Sequence, residues 1–296
     1  MRVLSTLFLL LLLRLTAAAA PHPTLQLDIA RFRNEDVGIR GNVVEVYATV
    51  SGKWLRYMRR APKMYQAAAV LTLEIVRPDG QAAYQETVTL KPPVLSDTTA
   101  AIKNPLSFQK RIILPDGEYS LRALVRDQYH KGQQSLVEMP LVLKSTDTKP
   151  VLSDIVLLAK PAARGAEAST FSRSGFSLTR APGGLYARGQ EKLFLYTELY
   201  NAAVGQPLQV TFRLRATNLP AGMAAKTIAT GQTTATGAQG RPTTLVGELS
   251  LGKVPSGEYL LTVEVRNAKN QLLASQTALV QRETEEYAPA GAGPAR

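Results

Sequence analysis

Five cations, Lys53, Arg56, Arg59, Arg60 and Lys63, fall in one short stretch, interleaved with Trp54, Tyr57, Met58 and Tyr65. Rings among positive side chains can stack on sugar or base faces while the charges attract anions, so this stretch is a candidate surface for a glycan or another polyanion. The same pattern also suits a hairpin whose Leu55 and Tyr57 help cover a core while the cations face water. A second constellation is Leu195-Tyr196-Thr197-Glu198-Leu199-Tyr200-Asn201. In an extended strand Tyr196, Glu198 and Tyr200 share one face, and Leu195, Thr197 and Leu199 share the other. An acid between two tyrosines is a candidate recognition patch on a sheet face, or else the outer, partly covered side of that sheet.

Catalytic chemistry finds little support. The two histidines, His22 and His130, have no second histidine at ligand spacing, so the zinc-hydrolase motifs are missing. There is no Gly-x-Ser-x-Gly elbow to present a nucleophilic serine. Phosphate-cradling glycine loops and clustered calcium ligands are also lacking. The chain has no cysteine, which excludes thiol catalysis, cysteine-ligated metals and a lipidated N-terminal cysteine. The sequence therefore reads as a non-enzyme, with no cofactor or metal expected.

The elements that position these residues are strands. Leu25, Leu27 and Ile29 alternate with polar neighbours, as do Val44, Val46, Ala48 and Val50, and Leu71, Leu73 and Ile75. Later sets are Tyr119, Leu121, Ala123 and Val125, then Val210, Phe212 and Leu214, then Tyr259, Leu261, Val263 and Val265. Period-two alternation turns one side of each strand to a core. Turns are marked by Pro78-Asp79-Gly80, Pro115-Asp116-Gly117 and Pro255-Ser256-Gly257. The stretch Gly231 to Thr244, rich in Gly, Thr and Ala, reads as a loose hairpin or loop.

Residues 115–127 and 255–267 form an internal repeat, from Pro-Asp-Gly-Glu-Tyr-Ser-Leu to Pro-Ser-Gly-Glu-Tyr-Leu-Leu. Leu71-Thr72-Leu73-Glu74 has a rough counterpart in Val210-Thr211-Phe212-Arg213. The repeat predicts an all-β chain of two tandem immunoglobulin-like β-sandwich domains, 22–147 and 148–283, followed by a disordered tail, 284–296. In each copy a tyrosine, Tyr119 or Tyr259, opens a late strand directly after its turn. Immunoglobulin-like sandwiches place a tyrosine corner there, its hydroxyl bonded to nearby backbone.

The N-terminus reads as a secretory signal peptide over residues 1–19: Arg2, then the mainly apolar run Val3 to Leu13, then small residues ending at Ala17 and Ala19. Export is the expectation, to the periplasm or beyond the cell, with no transmembrane segment in the mature chain. The chain carries 35 Lys and Arg against 23 Asp and Glu, a net charge of +12. Removal of Arg2 and Arg14 leaves +10. A basic exported protein is drawn to anionic partners over long range.

Several segments together resemble the N-terminal region of the GWxTD-domain proteins of Bacteroidetes-type bacteria. In order they are the signal peptide, Leu27-Asp28-Ile29-Ala30-Arg31-Phe32, Val44-Glu45-Val46-Tyr47, the Pro-Asp-Gly-Glu-Tyr turn, Leu152-Ser153-Asp154-Ile155, Phe171-Ser172-Arg173-Ser174-Gly175-Phe176 and Leu195 to Asn201. The name-giving Gly-Trp-x-Thr-Asp motif is absent, and the only tryptophan is Trp54. The resemblance implies an envelope protein with two sandwich modules. The expected function is a non-catalytic structural or protein-binding module whose partner is another envelope protein. The alternative is an anionic-glycan or polyanion binder using Lys53 to Tyr65; nucleic acid is not an expected partner.

Overall fold

The computed structural model describes residues 24–34, 41–98, 104–144, 148–165, 172–217 and 226–284. The signal-peptide run, His22, the Ser145-Thr146-Asp147 part of the expected domain boundary, Phe171 and residues 285–296 lie outside them. Thr284, placed in the tail by the sequence reading, is held: its N–H donates to Ser256 Oγ at 2.9 Å.

Among the described residues the regular elements are strands, apart from the 3-10 turns Gly52–Trp54 and Pro182–Gly184. The first lobe contains β1 (Leu25–Arg33), β2 (Asn42–Val50), β3 (Met58–Ala61), β4 (Met64–Gln66), β5 (Ala69–Val76), β6 (Ala82–Leu90), β7 (Leu106–Leu114), β8 (Gly117–Asp127) and β9 (Gln134–Leu143). An antiparallel sheet in the order β1-β2-β7 faces one in the order β6-β5-β8-β9. Leu27, Val44, Val46, Leu71, Leu73, Leu121, Val125 and Leu141 are buried between them. These are the inward positions of the period-two pattern, and their burial is the main stabilising term of the lobe. Strands β3 and β4 form a separate two-stranded arm.

The second lobe contains β10 (Val151–Leu152), β11 (Val156–Leu158), β12 (Ala163–Arg164), β13 (Ser172–Arg173), β14 (Phe176–Ser177) and β15 (Leu185–Tyr186). It continues with β16 (Lys192–Tyr200), β17 (Pro207–Ala216), β18 (Thr227–Thr236), β19 (Thr243–Ser250), β20 (Gly257–Asn267) and β21 (Leu272–Arg282). Strand β16 pairs with β10 and β11 on one side and β19 on the other, opposite a sheet in the order β15-β21-β20-β17-β18. The β5–β8 pair of the first lobe, with Leu71 opposite Val125, matches the β17–β20 pair of the second, with Val210 opposite Val265. Both lobes are immunoglobulin-like β-sandwiches. A small sheet, β12-β14-β13, lies beside the second.

The repeated turn has the same geometry twice. Tyr119 Oη donates to the Pro115 carbonyl at 3.1 Å, and Tyr259 Oη donates to the Pro255 carbonyl at 2.8 Å. Both rings are buried. A Cβ on Gly117 would crowd the first ring, at 3.2 Å from Tyr119 Cε2.

One expectation is overturned. Gly231 to Thr236 is not loose: it belongs to β18, which pairs with β17 along its length. A Cβ on Gly231 would lie 2.9 Å from the Glu248 carbonyl oxygen, and one on Gly247 would lie 2.4 Å from the Phe212 ring. Phe212 fills the room that these glycines leave, so here glycine serves close packing rather than freedom.

Tyr119→Phe and Tyr259→Phe remove only the corner hydroxyl. Each should destabilise the protein by about 0.5–1.5 kcal/mol, and Tyr→Ala at either position by about 3–5 kcal/mol. Urea midpoints measure both, and unchanged midpoints in the Phe variants would show that the hydroxyls contribute nothing.

Candidate functional site

The outer face of β1 and β2 presents Ala30, Phe32, Val43, Glu45 and Tyr47, which alternation alone assigns to solvent. In the fold this face packs against the outer face of β11 and β16. Ala30, Phe32 and Val43 join Val156, Leu158, Phe176, Leu178 and Tyr196 in a third buried cluster between the lobes. Tyr196 meets Phe32 and Phe176 edge-on, with ring centroids 6.5 and 6.1 Å apart.

Within this junction Glu198 is fully buried. Its Oε1 accepts from Arg173 Nε at 2.8 Å, Tyr196 Oη at 2.7 Å and Ser174 Oγ at 2.9 Å. Its Oε2 accepts from Arg173 Nη2 at 3.0 Å and Tyr200 Oη at 2.6 Å. Arg173 also lies 3.7 Å from Glu45 Oε1 through Nη1 and stacks 3.7 Å above the Phe32 ring. Glu45, also buried, receives Arg111 at 2.6 Å and the Tyr47 hydroxyl. Arg180 stacks 3.7 Å above Tyr47. Burial alone would raise the Glu198 carboxyl, but Arg173 and the tyrosine hydroxyls outweigh it and hold the group below the usual carboxylate range. Burial first, and the Glu198 charge second, push the Tyr196 and Tyr200 hydroxyls far up, so both remain protonated donors.

The backbone edge of β1 is closed by the same contact. Asp154 Oδ2 accepts from Arg31 N and Nε, both at 2.8 Å, and Asp154 N donates to the Arg31 carbonyl at 3.1 Å. Arg33 N donates to Tyr200 Oη at 3.0 Å, and Gly183 N donates to Asp28 Oδ2 at 2.9 Å.

Tyr196, Glu198 and Tyr200 therefore do not form an exposed recognition patch. The first lobe and the small sheet cover them, because a lone carboxylate between rings is buried only when cations and hydroxyls satisfy it. Sequence reasoning missed Glu45, Arg111, Asp154 and Arg173, since polar side chains on outward positions look solvated. The available signal was an acid at an outward position between apolar or aromatic residues on two strands, Val43-x-Glu45-x-Tyr47 and Tyr196-x-Glu198-x-Tyr200.

The basic aromatic stretch lies elsewhere, on the arm between β2 and β5. Leu55 is buried and Tyr57 packs against the first core. Asp127 anchors the arm's root by accepting from Arg56 N at 2.6 Å and Tyr129 N at 2.8 Å. Tyr65 and Leu95 exchange two backbone hydrogen bonds of 2.8 Å. Arg60 bonds the Tyr129 hydroxyl and lies over its ring, and Lys53 lies 5.7 Å from the Trp54 ring. Lys53, Arg56, Arg59 and Lys63 are exposed, and Trp54 is 40% exposed.

Among the described residues no group of three or more His, Cys, Asp or Glu side chains is arranged to hold a metal ion. No helix there is long and apolar enough to cross a membrane.

No family model matches the chain, and no curated protein does. Solved structures do. A red sea bream transglutaminase is 11% identical, over 88% of this chain and 32% of that one, with a TM-score of 0.22. A calcium-binding mutant of Bacteroides uniformis β-glucuronidase 2 is 10% identical, over 85% of this chain and 28% of that one, at 0.28. The fibronectin(III)-like modules of Clostridium thermocellum CbhA are 14% identical, over 88% of this chain and 97% of theirs, at 0.22. The chain thus spans about a third or less of the first two.

Arg173→Ala leaves two buried carboxylates without their shared cation. It should destabilise the junction by about 3–5 kcal/mol and split a single calorimetric transition into two, one per lobe. A single transition with an unchanged midpoint would show that the pair does not couple the lobes.

The depressed Glu198 carboxyl supports the folded state above the ordinary glutamate value of 4.5, and that support is lost as pH falls through the lower folded value. Thermal melts from pH 7 to pH 3 should show this acid-side loss in the wild type. Glu198→Gln should melt lower at pH 7 and lack that component of the decline; parallel curves for the two proteins would contradict the assignment.

Proposed function

We propose that this chain is a non-catalytic structural or protein-binding module of the cell envelope, exported by its apolar N-terminal run and acting in the periplasm. The observation that carries the reading is the arm. It exposes Trp54, Met58 and Met64 amid cations, and Val94, also exposed, adjoins the Tyr65–Leu95 bridge. Tryptophan, methionine and arginine are the types enriched where proteins dock. The junction supports the same reading, because two lobes joined by buried ion pairs hold the arm on a stiff frame. The resemblance to the GWxTD-domain proteins is in keeping with an envelope partner.

A second reading, binding of an anionic glycan or polyanion by Lys53 to Tyr65, is favoured by one feature. The carboxylate at the arm's root, Asp127, is already engaged by two backbone N–H groups. That leaves the exposed cations Lys53, Arg59 and Lys63 without an acidic partner among the described residues.

Capture from envelope extract at low and high salt separates the two. A protein partner should be retained at both salts and lost when Trp54, Met58 and Met64 are all changed to alanine. Retention unaffected by the triple substitution would remove the arm from the proposal. Binding that collapses steeply with salt would favour the second reading.

A further inference from the structure

A cleft of 720 Å³ opens between β18, β19 and the small sheet, away from the arm; Ser174 and Phe176, which also belong to the buried junction, form part of its lining. Its volume lies within the range of about 300–1,000 Å³ typical of small-ligand sites. Two arginines line it, Arg164 from β12 and Arg241 from the β18–β19 connection, and no carboxylate does. Among the other described arginines, Arg31, Arg111, Arg122, Arg173, Arg213 and Arg266 each meet an acid, while Arg59 and Arg180 do not. Arg164 and Arg241 meet none among the described residues. The Arg164 guanidinium lies 4.7 Å above the Phe176 ring. Stacking occupies its face and leaves its in-plane N–H fork for a planar anion such as a carboxylate.

The remaining walls are hydroxylic. Thr234 and Thr236 from β18 and Thr244 from β19 line the cleft with hydroxyls that are not hydrogen-bonded among the described residues, whereas those of Ser174 and Thr243, also in the lining, are engaged by Glu198 and the Ala238 N–H. The apolar members of the lining are Ala235, Ala238, Pro242 and Phe176, and Arg164 covers the Phe176 ring. Small apolar residues make no pocket for a peptide's large side chains. Unpaired hydroxyls beside two unpaired guanidiniums match a ligand that carries both hydroxyls and a carboxylate. We infer that this cleft binds an acidic saccharide, a hexuronate unit at a chain end or within an oligomer.

The test is calorimetric titration of the full chain with trigalacturonate and with its methyl ester, which keeps the hydroxyls and removes the charge. Trigalacturonate should bind, and the ester at least tenfold more weakly. Arg164→Ala and Arg241→Ala should each weaken trigalacturonate by about tenfold or more, and Thr236→Val by less. The double variant Arg59→Ala/Arg60→Ala should bind as the wild type does, which separates this site from the arm. Matching melting temperatures establish that the variants fold. The inference is overturned if trigalacturonate does not bind or the ester binds equally. Loss confined to the arm variant, or tighter binding of an oligoglutamate peptide, overturns it as well.

Discussion

A carboxylate buried without partners is expensive, and Glu198 is buried completely. Arg173 makes that burial tolerable, and much else depends on its position. To reach Glu198 the guanidinium passes over Phe32 of the first lobe and close to Glu45. One side chain from the small sheet thereby bridges the faces of two sandwiches. Apolar contact among Phe32, Tyr196 and Phe176 would tolerate sliding; a bidentate ion pair does not, because its donors and acceptors match in one arrangement. The junction is best understood as specifying the geometry of two lobes whose cores are otherwise separate, and its net contribution to stability is a different quantity.

The same contact manages a hazard common to β proteins, the unpaired edge strand. Strand β1 has its outer groups taken by Asp154 and the Tyr200 hydroxyl. In the first lobe's other sheet the edge strand β9 carries Pro140, which cannot donate to a neighbouring strand. In the second lobe β15 adds a short parallel pairing beyond β21. Different edges are closed by different chemistry, and only that of β1 couples one lobe to the other.

The inward half of this architecture was legible in the sequence. Alternation at Val44 to Val50, Leu71 to Ile75 and Leu261 to Val265 marked residues that the cores do bury, and the repeated Pro-x-Gly-Glu-Tyr marked two tyrosines whose hydroxyls close onto the turn. The outward half was not legible. Glu45 and Glu198 occupy positions that water normally takes, and only a partner surface more than a hundred residues away in the chain makes them interior. Arg173 lies in a short strand of a small sheet with too few residues for any period to show. In β18 the Thr, Ala and Gly residues suggested looseness, yet two of the glycines nearby record how closely Phe212 and a neighbouring strand approach.

Because the chain is made from its N-terminus, the covered outer face of β1 and β2 has a history. The first sandwich has all its strands once Leu143 has emerged. Asp154, Arg173 and Glu198 come later. In the interval Phe32, Val43 and Tyr47 face water, Glu45 has Arg111 but not Arg173, and the β1 backbone edge lacks its partners. A nascent first lobe is thus stickier than the finished protein, and any holding factor that meets the growing chain has this face to recognise before the second lobe conceals it.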